Sequence, residues 1–273
     1  PQITLGLPLW GRAECNRRYP EFFTDQLAVE LESRLFKKLN IDSNILENNI
    51  GKKYEYFVLT FANRARIFDQ KLQCYLKAHP TATVINLGAG LDTGFTRNDN
   101  GILTWYDVDL PDVIQLRREL IPESPRNKYI ASSVLERDWI IKITDDSIEN
   151  TFILAGGLLM YFKIDEVRHI FTLIYEHFPG ADMLFDSVSP RALKIANRRT
   201  RNKSNKNAIF WHYSVPDPSK PLKEESELFK VVDYFPYWAK AQTGFSWQFR
   251  TKFLMKFSTW LKLAHFIHIR FDK

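Results

Sequence analysis

A short run rich in β-branched residues, Thr83-Val84-Ile85-Asn86-Leu87, passes without a spacer into Gly88-Ala89-Gly90. Such a run reads as a buried strand. Glycines set directly at its end mark a sharp turn, because only glycine reaches the torsions such a turn requires at little cost. Similar units follow. Residues 103–108 form a second candidate strand. Pro111–Leu120 is a helix with proline in its first turn and Asp109 placed to cap it. Tyr129-Ile130-Ala131 is a third strand, and Thr151–Ala155 a fourth that ends on Gly156-Gly157. Residues 165–178 carry Val167, Ile170, Phe171, Ile174 and Phe178 at helical spacing, and Pro179-Gly180 breaks that helix. Met183-Leu184-Phe185 is a fifth strand, ending at Asp186-Ser187. Short strands alternating with helices predict an α/β fold with a mostly parallel Rossmann-like sheet, helices on both faces, and ligands at the carboxyl ends of the strands.

The flanks are organised differently. Leu27, Leu31, Leu35 and Leu39 recur every fourth residue, so residues 1–53 read as a helical cap. A second helix spans about 54–76, with Phe57, Phe61, Ile67, Phe68 and Leu72 on its apolar side and His79-Pro80-Thr81 at its end. After Pro190 the regularity fades. A basic stretch with Arg198, Arg199, Arg201, Lys203 and Lys206 precedes Pro216, Pro218 and Pro221, and residues 190–240 read as a lid or substrate insertion. Alternation in 264–271 predicts a late antiparallel strand. The chain, 1–273, reads as one domain.

Composition removes several classes. With 45% hydrophobic and 26% charged residues the chain is ordinary and globular. No apolar run approaches the roughly 20 residues a membrane helix needs, and no membrane partner is expected. Pro1-Gln2-Ile3-Thr4-Leu5 has neither the basic segment nor the apolar stretch of a secretory leader. Cys15 and Cys74 form neither a disulfide framework nor a metal spacing, so a reduced, cytoplasmic setting is expected. A net charge of +6 permits anionic partners. The basic cluster is short, however, and no RNA-binding motif accompanies it, which argues against nucleic acid. No further ligands cluster near His265 and His268, so no metal is expected. The aromatic share, 14%, fits either an apolar substrate pocket or an aromatic-rich core.

The glycine turn can be a plain strand-to-helix bend or a ligand cradle. For a cradle, the following helix would point its amino end at the ligand. Asp107-Val108-Asp109, roughly twenty residues on, can accept ribose hydroxyls. A dinucleotide fingerprint requires glycine at the sixth position, which is Thr93, and the Lys-Ser/Thr pair of a phosphate loop is also missing. An adenosine ligand without a pyrophosphate fits best.

Larger motifs then align. Ile85-Asn86-Leu87-Gly88-Ala89-Gly90-Leu91-Asp92-Thr93 resembles the cofactor motif of the leucine carboxyl methyltransferase superfamily, which includes bacterial polyketide O-methyltransferases of the tetracenomycin type. Trp105-Tyr106-Asp107-Val108-Asp109-Leu110-Pro111 resembles its second motif. Arg64-Ala65-Arg66-Ile67-Phe68-Asp69 resembles its upstream Arg-x-Arg-Phe-Phe-Asp helix, and Gly157-Leu158-Leu159-Met160-Tyr161 its post-strand segment. Phe178-Pro179-Gly180 and Phe185-Asp186 also sit where the family has them. The resemblance covers about 54–190 and implies a class I methyltransferase fold. The implied cofactor is S-adenosyl-L-methionine and the product S-adenosyl-L-homocysteine.

By that resemblance Arg64, with Arg66 second, holds the methionine carboxylate, since a guanidinium pairs with a carboxylate through two parallel bonds. Asp109, with Asp107 second, takes the ribose. Gly88, Ala89, Gly90 and Asp92 surround the cofactor. Ser132-Ser133-Val134 replaces the family's Asp-Leu beside the adenine, and Ala155-Gly156-Gly157 replaces its Ala-Glu-Gly. Methyl transfer from a sulfonium releases a neutral thioether, so proximity and alignment carry the reaction. Tyr161 either orients the reacting groups or is a core tyrosine. Arg191, Arg198, Arg199 and His212 flank the lid as candidates to hold an acidic acceptor. The implied activity is O-methylation of a small carboxyl or hydroxyl acceptor, polyketide-like. Carboxyl methylation of a protein C-terminus is the alternative within the same chemistry. A cofactor-binding module with reduced catalysis, prompted by Ser133 and Gly156, is the alternative outside it.

Overall fold

The structure, a computed structural model, describes residues 2–40, 51–143, 150–201, 210–219, 227–241 and 245–272. Lys203, Lys206 and Pro221 of the expected lid lie outside them. The central strands are β1 (Thr83–Leu87), β2 (Thr104–Asp109), β3 (Asn127–Ala131), β4 (Thr151–Ala155) and β5 (Asp182–Val188). They are parallel, and β6 (Phe229–Pro236) and β7 (Ala264–Phe271) complete a seven-stranded sheet of order β3-β2-β1-β4-β5-β7-β6. The late strand β7 runs antiparallel to β5, from Asp182 opposite Arg270 to Val188 opposite Ala264.

One expectation changes here. β6 falls inside 190–240, where the sequence reads as a lid, yet it forms the edge of the sheet against β7. The register shifts between Val231 and Asp233, and this irregularity breaks the period-two pattern by which a strand is recognised in sequence.

Register sorts the core into two layers. Ile85 lies opposite Tyr106 and Ile153, Ile153 opposite Met183, and Met183 opposite Ile269. This row packs on α6 (Asp138–Ile143) and α7 (Ile164–His177) through Ile140, Val167 and Ile170. One residue earlier, Val84, Trp105 and Phe152 face the other way. They meet α1 (Gln2–Arg18), α2 (Gln26–Leu39) and α3 (Tyr54–Ala78) through Leu9, Leu31 and Leu72. The alternation of side chains along a strand thus assigns each helix group its face.

In α2 the buried set is Ala28, Leu31, Glu32, Leu35 and Phe36, because a strict four-residue repeat drifts around a 3.6-residue helix. After β1 come α4 (Gly94–Asn98) and, beyond β2, α5 (Pro111–Leu120). α8 (Pro190–Arg201) follows the carboxyl end of β5. α9 (Phe249–Trp260) precedes the start of β7, which pairs with that same end of β5. Both helices therefore stand on the ligand side of the sheet. None of the described helices is long and apolar enough to cross a membrane.

Candidate active site

The turn after β1 is anchored to the end of β2. Gly88 and Ala89 donate their N–H groups to the Val108 carbonyl at 2.9 and 3.2 Å. Gly88 and Gly90 have φ of +65° and +50°, and a Cβ at Gly88 would come within 2.6 Å of the Leu158 side chain. Asp109 does not cap α5, whose N-cap is Leu110. Its carboxylate instead accepts from Gly90 N and Leu110 N, each at 2.7 Å. Burial pushes the Asp109 carboxyl above the usual carboxylate range, against the pull of those two N–H groups.

Asp107 has a different position. Its fully buried carboxylate accepts from Arg117 at 2.6 Å and from Asn86 and the Trp105 indole at 2.9 Å. Three donors occupy it inside the core, so the structure turns this candidate second ribose acid toward Arg117, Asn86 and Trp105. Arg117 continues past Asp107 to the carbonyls of Asp92, at 2.7 Å, and Gly90, at 3.1 Å. Arg12 of α1 reaches the Leu91 carbonyl at 2.8 Å. Two buried arginines thus hold the loop from beneath. Sequence reading missed both. The signal for Arg117 was its place on the same helical face as Val113, Ile114 and Leu120, where a cation needs buried partners.

Asp92 shapes the far side of the loop. Its carboxylate accepts from Gly94 N at 3.1 Å and pairs with Arg97 at 3.4 Å and Arg12 at 3.8 Å. Burial opposes the charge, but Arg97, Arg12 and Arg117 outweigh it and bring the Asp92 carboxyl down to about 2. The first N–H of α4 is therefore already taken by a carboxylate. The helix expected to aim its amino end at a ligand is α4, which has only five residues. Arg97 also binds Asp25 and Asp69, which ties the N-terminal helices to the loop.

Across the site, Arg64 on α3 lies against the turn after β4. A Cβ on Gly157, which has φ +69°, would sit 1.9 Å from Arg64 Nη1, and one on Gly156 3.0 Å from Phe68 and 3.3 Å from Arg64 Cδ. The two glycines make room for the guanidinium. Asp186, near the end of β5, accepts from Gly157 N at 2.5 Å and stands 3.5 Å from Arg64 Nε. That Nε is buried and makes no hydrogen bond. Asp186 thus brings a carboxylate to the turn that has Gly156 in place of the family's glutamate. Tyr237, held by a 2.6 Å bond from its hydroxyl to the Thr60 carbonyl, lines the same spot, and burial raises its phenol well above the ordinary value.

Arg66, two residues on, points elsewhere. It stacks over Phe22 with its Cζ 4.8 Å from the ring centre and donates to the Lys240 carbonyl at 3.2 Å. Residues two apart on a helix do not share a face, and Arg66 is not brought to the site.

The remaining candidates frame the site. Ser132 N donates to the Asp109 carbonyl at 2.9 Å, which places Ser132-Ser133-Val134 at the carboxyl end of β3 beside β2. The Ser133 hydroxyl accepts from Leu135 N at 3.2 Å and keeps its own proton to donate. Tyr161 closes a turn of 3-10 helix, Leu159–Tyr161, and is half-buried. His212 N donates to the Met160 carbonyl at 2.7 Å, so His212 stands beside Tyr161. Arg191, Arg198 and Arg199 are exposed on α8, a helix that buries none of its residues.

A mostly parallel sheet in this order, with a glycine loop after β1 and an arginine against the turn after β4, is that of an S-adenosylmethionine-dependent methyltransferase. The chain belongs to the leucine carboxyl methyltransferase family, whose model matches residues 9–175. The match begins inside α1, so it reaches well before the stretch in which the sequence motifs lie. The tetracenomycin polyketide synthesis O-methyltransferase TcmP of Streptomyces glaucescens is 32% identical over 89% of this chain and 87% of its own length. The S-adenosyl-L-methionine-dependent methyltransferase dpfgK of Gibberella zeae is 23% identical over 96% of this chain and 90% of its own. A solved structure from Thermobifida fusca, assigned to the methyltransferases, shares the fold with a TM-score of 0.59 at 14% identity, covering 92% of this chain and 90% of that one.

Proposed function

We propose that the enzyme methylates an oxygen of a small, polyketide-like acceptor bearing a carboxyl or hydroxyl group. The observation that carries this reading is the 32% identity to a polyketide O-methyltransferase along nearly the whole chain, which takes in the Arg64 and Gly88–Gly90 elements together. The residues present fit the cofactor. Arg64 offers a buried guanidinium that Gly156 and Gly157 let lie against the turn after β4 and that Asp186 holds from its Nε side, a cation suited to a carboxylate. Asp109 at the loop offers a carboxylate to a vicinal diol. Ser133 offers a neutral hydroxyl to the base.

The cofactor, when bound, supplies an electrophilic methyl group on a sulfonium. The chain's own task is to hold and align. Arg64 and Asp109 fix the two ends of the ligand, with Asp186 keeping the Arg64 side chain in register. The glycine turn admits the ligand to the backbone. Tyr161 and His212 occupy the acceptor side, where the Tyr161 hydroxyl orients the attacking oxygen. For a carboxylate acceptor such positioning is worth several kcal/mol of barrier without any acid–base pair, and a phenol acceptor reacts as its phenolate after giving its proton to solvent. Arg191 and Arg198 stand on the rim, where an anionic acceptor enters. Helices α1 and α2 serve as the helical cap expected for residues 1–53, and α8 with residues 210–219 as the lid of a single domain.

Calorimetry with S-adenosylmethionine, followed by a panel of aromatic acids and phenols, tests this. Binding with methylation of at least one panel member supports it. Absence of cofactor binding at millimolar concentration overturns it. Binding without any methylation favours the cofactor-binding module.

A further inference from the structure

α9 is built inside out. Its buried residues are Thr251, Met255 and Ser258, whereas Phe249, Phe253, Phe257 and Trp260 are 86%, 56%, 43% and 75% exposed. At 3.6 residues per turn the four aromatic side chains fall within about 80° of one another, opposite the buried face. Phe253 stacks on Phe257 with ring centres 5.9 Å apart, and Phe257 meets Trp260 at 6.1 Å, so the rings form one outward patch. On the same wheel Arg250 flanks this stripe on one side, and Lys252 and Lys256 on the other; all three are exposed.

The neighbouring helix has the same charge. The Tyr56 phenol is hydrogen-bonded with Ser258 of α9 and within electrostatic reach of Arg199 of α8, and both helices stand at the same end of β5. α8 contributes five cations, and neither helix contains an acidic residue. Positive charge is thus concentrated around an aromatic stripe. A second copy of the chain would bring like charges together, whereas an anionic surface complements them. Aromatic rings flanked by lysine and arginine suit the boundary between lipid headgroups and acyl chains.

We infer that α9, supported by α8, is a docking surface for an anionic lipid bilayer, with the four aromatic side chains seated among the headgroups. The helix lies on the surface and does not span it. Because both helices stand at the carboxyl ends of the strands, docking turns the entrance of the site toward the lipid.

Co-sedimentation of the full chain with vesicles tests this. One set is phosphatidylcholine alone, the other equal parts phosphatidylcholine and phosphatidylglycerol, each in low and high salt. The expected result is preferential pelleting with the anionic vesicles, weakened by salt. The double variant Phe253→Ser, Trp260→Ser should lower that partitioning about tenfold or more while its S-adenosylmethionine affinity, read by calorimetry, stays at the wild-type value. Since both side chains are exposed, the variant keeps its core. Equal pelleting with both vesicle types, or equal pelleting of the variant, overturns the inference. A wild-type dimer in sedimentation equilibrium that the same variant dissociates, without vesicle binding, also overturns it and assigns the face to a second copy.

Discussion

At the scale of single residues, the site rests on a few close fits. Gly157 is the tightest, since any side chain there meets the Arg64 guanidinium and also suffers the positive φ. Gly157→Ala should abolish measurable cofactor binding and cost about 1–3 kcal/mol in urea unfolding. Arg64→Lys keeps the charge but loses the planar fork, and the cofactor dissociation constant should rise about tenfold or more by calorimetry. Asp109 has a pH signature. Burial holds its carboxyl above the usual value, so it takes up a proton at a higher pH than a free carboxylate, and the neutral form accepts less well from two ribose hydroxyls than the ionised one. Cofactor affinity should therefore fall as pH drops through that raised value. Asp109→Asn should bind weakly with little pH dependence in the same range. These residues were visible in the sequence as motif positions. Asp186 was visible as the end of a strand and as a position shared with the family, but without a role, because that depends on a contact with Arg64 from another element.

At the scale of elements, the loop after β1 is fastened by α5 and α1. Arg117 joins the Asp107 carboxylate, both buried, to the Gly90 and Asp92 carbonyls of the half-buried loop. Removing one partner of a buried pair leaves an uncompensated charge, at about 3–5 kcal/mol. Arg117→Met should therefore destabilise by that amount in urea unfolding. Arg117→Met combined with Asp107→Asn should recover part of the loss, as the stranded carboxylate is gone. The cofactor affinity of the double variant should remain reduced, because the loop carbonyls still lack their donor. Helix and strand positions were mostly legible, with Pro111–Leu120 and Thr151–Ala155 found to the residue. β6 was not, owing to its register shift, and Asp109 was read as a helix cap because its local sequence fits a cap equally well.

At the scale of the whole molecule, β7 inserts His265 between β5 and β6, opposite Ser187 and Pro236. Burial first, then Lys262, pushes its imidazole below the ordinary value, with Asp217 opposing. Below about pH 6.5 the unfolded chain takes up a proton that the folded chain resists, so stability falls as pH drops through that window. Urea unfolding at a series of pH values should show a slope of up to about 1.4 kcal/mol per pH unit attributable to this site, and His265→Gln should remove it. The same fold places α8 (Pro190–Arg201) and α9 (Phe249–Trp260) at the same end of β5, which their separation in sequence gives no way to foresee.

Periodicity and glycine placement alone determined the mostly parallel α/β class and the strand that carries the glycine loop, because those signals are local; the residues expected to hold the cofactor came from the resemblance of longer motifs to a family. A strand declares itself by consecutive residues, and a tight turn by its glycines. Only the tertiary structure decided which acids and cations are free to act. It placed Asp107 in a buried pair and Asp109 on the loop, separated Arg64 from Arg66, and brought Asp186 across from β5. Each of these outcomes depends on packing between elements distant in sequence, and a charged residue shows no local mark of whether its partner will be a ligand, a backbone carbonyl or another side chain.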